Sequence, residues 1–187
     1  MIRPWKILSS HQTYRDKWLS IRSDRCETSD GKIIEPFHVI EAKNWINVVA
    51  LTDEGNVVLI EEYRHGAQAV TLGIPGGVCD TEDADEAVSA ARELEEETGY
   101  VCEYLIETGR AFANWANQNN EIIYFLGFGA KPTGSVNLDP NEEIEVCLKR
   151  YVDFVEYRFD GPKHTHHAAA LFYAERYFAK HPGERPA

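Results

Sequence analysis

Hydrophobic and polar residues alternate in short runs over residues 1–45, as they do in strands joined by tight turns. Asp30-Gly31 separates two of these runs, and this dipeptide is a strong hairpin signal. A second pair of runs, rich in β-branched residues, flanks residues 53–55. We therefore expect a small antiparallel β segment over residues 1–45, and a second hairpin around residues 53–55 in the domain that follows over residues 46–187.

The pattern changes after the next apolar run, which ends at Pro75-Gly76-Gly77. This tripeptide predicts a loop, because neither proline nor paired glycine continues a strand. From about Asp85 to Thr98 the apolar spacing becomes helical, and Gly99 stands where a terminating glycine would end the helix.

Later segments predict strands on the far side of this helix and a helix near the end of the chain. The predicted strands are residues 100–112, 121–130 and 144–148, and the predicted helices are residues 151–159 and 166–179. Strands before and after a central helix indicate an α/β fold, an α/β/α sandwich around a mixed sheet.

Composition narrows the classes of function. The chain has 187 residues and a net charge of −12, and no short window is rich in Lys and Arg. The surface should therefore repel nucleic-acid backbones and anionic membranes, and neither is expected as a partner. The four cysteines are far apart in sequence, and no apolar stretch resembles a signal peptide or a membrane span. We expect reduced thiols in a cytoplasmic protein.

The predicted central helix gathers acidic residues on one face. At about 100° per residue, Glu93, Glu96 and Glu97 fall within roughly a 100° arc. The remaining arc is largely apolar and is expected to be buried: Ala87, Val88, Ala90, Ala91 and Leu94.

Stacked carboxylates repel each other, and Mg²⁺ or Mn²⁺ would remove that repulsion because both ions prefer carboxylate oxygen. Arg92 precedes Glu96 by four residues and is expected to pair with it. The alternative is a solvated acidic helix face, and the residues alone favour neither interpretation.

Residues 76–100, GGVCDTEDADEAVSAARELEEETGY, resemble the Nudix box, G-x5-E-x7-R-E-U-x-E-E-x-G-U. The second half of the box matches position by position from Arg92 to Gly99, with Tyr100 at the last apolar position. The first half departs from the pattern. Its acidic position falls on Glu82 or Asp83, which indicates an insertion of one or two residues in the loop.

This resemblance implies a metal-dependent hydrolase in which an activated water attacks a diphosphate phosphorus. Glu93 and Glu97 would be the main metal ligands, with Glu96 assisting, Gly76 contributing its carbonyl oxygen and Arg92 orienting the acids. The implied cofactor is Mg²⁺, with Mn²⁺ as the alternative.

Beyond the box, the chain resembles the ADP-ribose pyrophosphatase branch, which hydrolyses nucleoside-diphosphate sugars. By this resemblance Arg64, after the run NVVLIEEY, contacts the diphosphate, and Asn120 lies near the site. Trp18 and, more weakly, Phe37 would stack on the nucleobase. The branch also implies a homodimer formed through the N-terminal β segment. The alternatives are a surface salt bridge for Arg64 and core or interface packing for the two aromatic residues.

The run EEIEV resembles the loop of this branch that supplies a catalytic base, which places the base on Glu142 with Glu143 as its rival. A solvated acidic loop is the alternative.

A predicted helix start carries three imidazoles, those of His164, His166 and His167. Their spacing does not suit chelation of a metal ion, so a polar cluster is expected there.

Two other functions compete with hydrolysis of a nucleoside-diphosphate sugar. One is the same chemistry on a nucleoside triphosphate, a dinucleoside polyphosphate or an RNA 5′ end. The other is a non-catalytic nucleotide-sugar sensor, but such domains generally lose a helix glutamate that this chain retains.

Overall fold

A computed structural model describes residues 2–80, 82–134, 136–138, 143–156, 161 and 163–187. The strands are β1 (Lys6–Arg15), β2 (Ser20–Glu27), β3 (Ile33–Glu41), β4 (Trp45–Ala50), β5 (Asn56–Arg64), β6 (Ala69–Gly73), β7 (Tyr100–Val101), β8 (Tyr104–Phe112), β9 (Glu121–Phe128), β10 (Lys131–Pro132) and β11 (Ile144–Arg150). The helices are α1 (Glu86–Thr98), α2 (Tyr151–Val155) and α3 (Thr165–Phe178), followed by a 3₁₀ turn at Pro182–Glu184.

The chain divides into two compact units. The N-terminal unit comprises Met1–Asn44 and Ala111–Glu121, and the main unit comprises Trp45–Arg110 and Ile122–Ala187. In the N-terminal unit, β1, β2 and β3 form an antiparallel sheet in that order, which confirms the predicted β segment. The predicted hairpin turn joins β2 to β3, and Gly31 has a φ of 82°, a conformation that favours glycine.

The described part of the main unit contains two three-stranded sheets with largely buried central strands and a two-stranded sheet in which β7 pairs with β10. In one three-stranded sheet, β4 runs parallel to β9 and β8 lies on the other side of β9. In the other, β5 lies between β11 and β6 and is antiparallel to both.

The hairpin predicted around residues 53–55 is wrong. The turn is present, with the N–H of Gly55 donating to the carbonyl oxygen of Thr52 at 3.0 Å. Beyond the single bridge between Leu51 and Val57, however, β4 and β5 belong to different sheets. Most of β4 and residues 57–60 of β5 are apolar and buried, which is typical of strands that are covered on both faces and have partners elsewhere in the chain.

Local signals set the ends of α1 where the sequence predicts them. The side chain of Asp85 accepts hydrogen bonds from the backbone N–H of Ala87 at 2.9 Å and of Val88 at 3.0 Å. At the other end Gly99 has a φ of 67°, and its N–H donates to the carbonyl oxygen of Glu95 at 2.8 Å. A capping carboxylate and a left-handed glycine therefore bound the helix.

The buried face of α1 differs from the predicted one. Val88 is 44% exposed and Ala91 is also exposed, whereas Ala90 and Leu94 lie in the core as expected. Three polar residues are buried with them: Ser89, Glu97 and Thr98. The prediction was wrong for Val88 and Ala91 because it took hydrophobicity as the only reason for burial, while the side chain of Glu97 hydrogen-bonds inward to the backbone N–H of Gly76.

Other predicted elements are present with small shifts at their ends. Helix α3 begins and ends one residue earlier than predicted, and β11 extends two residues further. Helix α2 covers the first part of the helix predicted over residues 151–159, of which residues 157–160 lie outside the described part of the chain. The four cysteines are unpaired, as expected. No helix in the described part of the chain is long and apolar enough to cross a membrane.

The cap of α1 gives a test of this local account. We expect Asp85→Ala to lower the free energy of unfolding by about 1 kcal/mol, because two backbone N–H groups lose their acceptor. Urea denaturation measures this change. Asp85→Asn keeps an acceptor oxygen and should stay close to the wild type, so an equal loss in both variants would contradict the capping role.

Candidate metal and substrate site

The segment after β6 lies beside β4 and presents the backbone N–H of Gly76 to α1. The N–H of Val48 donates to the carbonyl oxygen of Pro75 at 3.0 Å, and the N–H of Ile46 donates to that of Gly77 at 2.8 Å. In an extended segment the N–H and carbonyl of one residue lie on the same side, and the side alternates from residue to residue, so those of Gly76 point away from β4.

Gly76 meets α1 through the carboxylate of Glu97. The Gly76 N–H donates to Glu97 Oε2 at 2.9 Å, and Glu97 is only 6% exposed. A buried carboxylate is unfavourable unless hydrogen bonds or positive charge compensate it. The carbonyl oxygen of Gly76 lies on this same side of the segment, which is where the sequence predicts a metal ligand.

The glycines of this segment allow a close approach of backbone to carboxylate. A Cβ atom at Gly76 would lie 2.2 Å from the carbonyl oxygen of Ile46, and one at Gly77 would lie 2.2 Å from Glu93 Oε2. No other residue type fits either position without a shift of its neighbours. The structure thus brings together Glu93, Glu97 and Gly76, three of the four predicted ligands.

Arg92 connects the acidic residues of the site. Its Nη1 donates to Glu93 Oε1 at 2.9 Å and to Glu96 Oε2 at 2.8 Å, the second being the predicted ion pair. Its Nε donates to Asp83 Oδ2 at 3.2 Å, and the same oxygen accepts from Ser89 Oγ at 2.7 Å. Asp83, rather than the exposed Glu82, therefore joins the network from the loop that carries the insertion.

Burial and the neighbouring carboxylates together shift the pKa values of Arg92 and Cys79. Burial acts to lower the pKa of Arg92, but the neighbouring carboxylates outweigh it and raise the pKa above its usual value. Burial, together with Glu86, Glu93 and Asp83, raises the pKa of the Cys79 thiol to about 11. Arg92 therefore stays charged and Cys79 stays protonated at neutral pH.

The residues of the site fit a hard divalent cation. Within the described ranges no three acidic, histidine or cysteine side chains converge closely enough to chelate an ion alone. Glu96, whose side chain is 37% exposed, is paired with Arg92. Mg²⁺, however, is commonly held by one or two carboxylates together with substrate phosphates and waters. Glu93, Glu97 and the Gly76 carbonyl supply such a set of oxygen atoms.

Arg64, also in the main unit, ends β5. Its Nη2 lies 2.5 Å from Glu62 Oε1, and its side chain is 50% exposed. The structure thus contains the salt bridge that was the alternative for this residue, while the exposed part of the guanidinium remains accessible to solvent.

The other predicted substrate contacts lie in the N-terminal unit. Trp18 is 78% exposed, and Lys17 Nζ lies 4.3 Å from its ring centroid. Phe37 is half-buried and contacts Trp5 edge to face, with 6.0 Å between ring centroids. Asn120 is buried, and its Oδ1 has no hydrogen-bond partner among the described residues.

Of the two candidates for the catalytic base, Glu143 lies within the described residues. Glu142 lies outside the described residues, and Glu143 is exposed immediately before β11.

The three predicted imidazoles do cluster at the start of α3. The ring centroids of His164 and His166 are 4.6 Å apart, and those of His164 and His167 are 5.1 Å apart.

Sequence reasoning missed one buried residue beside the site. Asn47 is 6% exposed in the middle of β4, and its Nδ2 would be 2.4 Å from a Cβ atom at Gly76. A single amide within the apolar run WINVVALT was the available signal, since unpaired polar residues are rarely buried.

Comparisons with known proteins agree with this arrangement. The family model of the NUDIX domain matches residues 43–174, and that of the nucleoside diphosphate sugar hydrolase N-terminal domain matches residues 5–40. The crystal structure of an ADP compounds hydrolase superposes with a TM-score of 0.84 over 97% of both chains at 19% identity, which shows the fold. The predicted fold class is therefore confirmed.

Two curated relatives extend the comparison. The methanol dehydrogenase activator of Bacillus methanolicus is 29% identical over 157 residues, which cover 83% of this chain and 79% of that protein. The ADP-ribose pyrophosphatase of Bacillus subtilis (strain 168) is 28% identical over 119 residues, 64% of this chain and 63% of that protein.

The two loop glycines predict different responses to the same substitution. Gly76→Ala places a methyl group against the backbone of β4, so we expect a loss of about 2 kcal/mol in the free energy of unfolding. Gly77→Ala meets only the flexible end of Glu93, and we expect a loss below about 1 kcal/mol. Urea denaturation measures both. Gly183→Ala, which meets nothing within 4 Å, is the control, and equal losses at positions 76 and 77 would contradict this geometry.

Proposed function

The chain belongs to the Nudix family, and we propose that it hydrolyses nucleoside-diphosphate sugars, of the ADP-ribose or GDP-mannose type, to a nucleoside monophosphate and a sugar phosphate. The observation that carries this proposal is the pair of carboxylates, Glu93 and Glu97, held against the backbone of Gly76 and Gly77. The match of residues 5–40 to the N-terminal domain of nucleoside diphosphate sugar hydrolases supports the substrate class.

Glu93, Glu97 and the Gly76 carbonyl would hold a divalent cation, Mg²⁺ or alternatively Mn²⁺, with Glu96 assisting. The cation, when bound, neutralises the diphosphate and makes water a better nucleophile. Arg92 fixes the orientations of Glu93 and Glu96 through its hydrogen bonds. In the reaction, water forms a new P–O bond while the bond from that phosphorus to the bridging oxygen breaks.

Other side chains would bind the substrate and move the proton. Arg64 contacts the diphosphate in exchange for part of its pairing with Glu62. Glu142 accepts the proton of the attacking water, with Glu143 as its rival. Trp18 stacks on the nucleobase, which its 78% exposure supports. Phe37 and Asn120 are the weaker candidates for contacts to the nucleoside.

The N-terminal β segment would also form a homodimer. Strand β1 is exposed along almost its whole length, and it carries apolar side chains at Ile7, which is 55% exposed, and at Tyr14, which is 50% exposed. Such a strand needs protection from non-specific pairing, and a second copy of the chain would provide it.

The four unpaired cysteines support a reducing compartment, the cytoplasm.

A substrate panel tests the proposed reaction. Purified protein with Mg²⁺ would be incubated with ADP-ribose, GDP-mannose, UDP-glucose, ATP and a dinucleoside polyphosphate, and the products would be separated by ion-exchange chromatography. We expect turnover of one or more diphosphate sugars. Glu97→Gln should reduce kcat by about a hundredfold or more, because it removes a charged metal ligand.

Glu95→Gln, on the exposed side of α1, is the matched control and should retain the activity. Turnover confined to ATP or the dinucleoside polyphosphate would overturn the substrate class but keep the chemistry. A folded, metal-loaded protein that binds these compounds without cleaving any would favour the sensor.

A second experiment identifies the base. We expect Glu142→Gln to lower kcat by about a hundredfold or more, since general-base catalysis contributes that much, and to flatten the acidic limb of the pH–rate profile. Glu143→Gln should change kcat by no more than about twofold. The reverse result would assign the base to Glu143, and two unaffected profiles would place it elsewhere.

A further inference from the structure

The face of the β4–β9 sheet opposite α1 carries a polar cluster that the proposed reaction leaves unused. Ile46, Val48 and Ala50 belong to the core beneath α1, so the intervening Asn47 points to the other face. Tyr124 is the register partner of Asn47 on β9 and shares that face. Helix α3 covers it there, and Tyr173 of this helix stacks on Tyr124 with ring centroids 5.2 Å apart.

Two histidines at the start of α3 complete the cluster. His166 Nδ1 lies 3.5 Å from the hydroxyl oxygen of Tyr124. His167 packs against Gly73 so closely that a Cβ atom at Gly73 would lie 2.3 Å from the His167 Cε1 atom. We call Asn47, Tyr124, His166 and His167 the α3-face cluster.

This cluster lies directly behind the segment that contacts the metal-binding carboxylates. His167 touches Gly73 at the start of the segment, and the amide of Asn47 touches Gly76. The N–H of the same Gly76 binds Glu97. The metal-binding carboxylates and the cluster therefore adjoin the same short segment and meet at the same glycine.

The chemistry of the cluster suits a neutral ligand with hydroxyl groups. Asn47 Oδ1 is buried and has no hydrogen-bond partner among the described residues, so it needs a donor. Burial lowers the pKa of His166, and it lowers that of His167 to about 3, so both rings are uncharged at neutral pH. Each neutral imidazole offers one donor and one acceptor, as hydroxyl groups require.

We propose that the α3-face cluster is the subsite for the sugar half of the substrate, with Asn47 Oδ1 accepting a hydrogen bond from a sugar hydroxyl. This inference rests on the proposed function. The terminal torsion of an asparagine side chain is broad, so the amide of Asn47 can turn its oxygen towards the ligand. Phosphate is the less suitable occupant, because it would bring only acceptor oxygens to an unpartnered acceptor.

The subsite is tested by measuring kcat/KM of the wild type and of one variant with each of two substrates. The substrates are ADP-ribose and the methyl ester of ADP at its terminal phosphate, which keeps the nucleotide and diphosphate but lacks the sugar. We expect Asn47→Leu, which is nearly isosteric, to lower kcat/KM for ADP-ribose about tenfold and that for the methyl ester by no more than about twofold. Asn56→Leu, at the far end of the β4–β5 turn, is the control and should affect neither.

Equal losses with both substrates would overturn the subsite and assign Asn47 a role in shaping the loop alone. No loss with either would also overturn it. A loss that disappears when IDP-ribose replaces ADP-ribose would show that the donor is the amino group of the base, against the proposal. If Asn47→Leu does not fold, His166→Ala, at a half-exposed position, is measured in the same way.

Calorimetry separates this inference from the proposed function. The dissociation constants of ADP-ribose and the methyl ester are measured without divalent cation, so that no turnover is needed. A wild type that binds ADP-ribose more tightly than the ester, with the difference reduced about tenfold in Asn47→Leu, supports the subsite even if the substrate panel fails. An active wild type with no such difference overturns the subsite alone.

Discussion

The hydrogen bond from Gly76 to the buried carboxylate of Glu97 is the constraint on which the site depends. It fixes the rotation of α1, because a carboxylate that is removed from water must find donors or positive charge. That rotation brings Glu97 inward with Leu94, and it leaves Val88 in solvent although Val88 is apolar. The free energy gained by giving the buried carboxylate a hydrogen-bond donor thus outweighs the free energy that burying the valine side chain would gain. The same rotation places Glu93 against Gly77 and forms the carboxylate pair that the proposed chemistry needs.

Charge is arranged around this bond so that the site remains anionic. Arg92 donates hydrogen bonds to Asp83, Glu93 and Glu96, so one guanidinium is shared by three carboxylates. The pKa of the Cys79 thiol is raised chiefly by burial, and the carboxylates of Glu86, Glu93 and Asp83 add to that shift. A surplus of fixed negative charge beside a backbone carbonyl is the electrostatic condition under which a divalent cation binds, and it would repel an anionic substrate in the absence of one.

Interactions that are local in sequence were the ones that could be predicted. Asp85 and Gly99 set the ends of α1 through contacts within one turn, and the Arg92–Glu96 pair follows from helical spacing alone. The pairing of β4 with β9 could not be predicted in this way, since its partner lies more than seventy residues away in the register from Trp45 to Ile122. The same holds for Asn47, whose amide adjoins Gly76 in a different segment, so the residue type was visible in the sequence but its environment was not.

Three glycines in one short segment follow from its position between two chemically different faces. On one side the carboxylates of Glu93 and Glu97 approach the backbone of Gly77 and Gly76, and on the other His167 approaches Gly73. The first face is charged and fits a cation with a diphosphate, whereas the second is polar but uncharged. A diphosphate joined to a neutral sugar differs between its two parts in the same way. Its diphosphate matches the charged face and its sugar matches the uncharged polar face. A nucleoside triphosphate carries phosphate instead of a second sugar at its far end, so it would leave the acceptor of Asn47 without a donor, and this difference favours the diphosphate sugar.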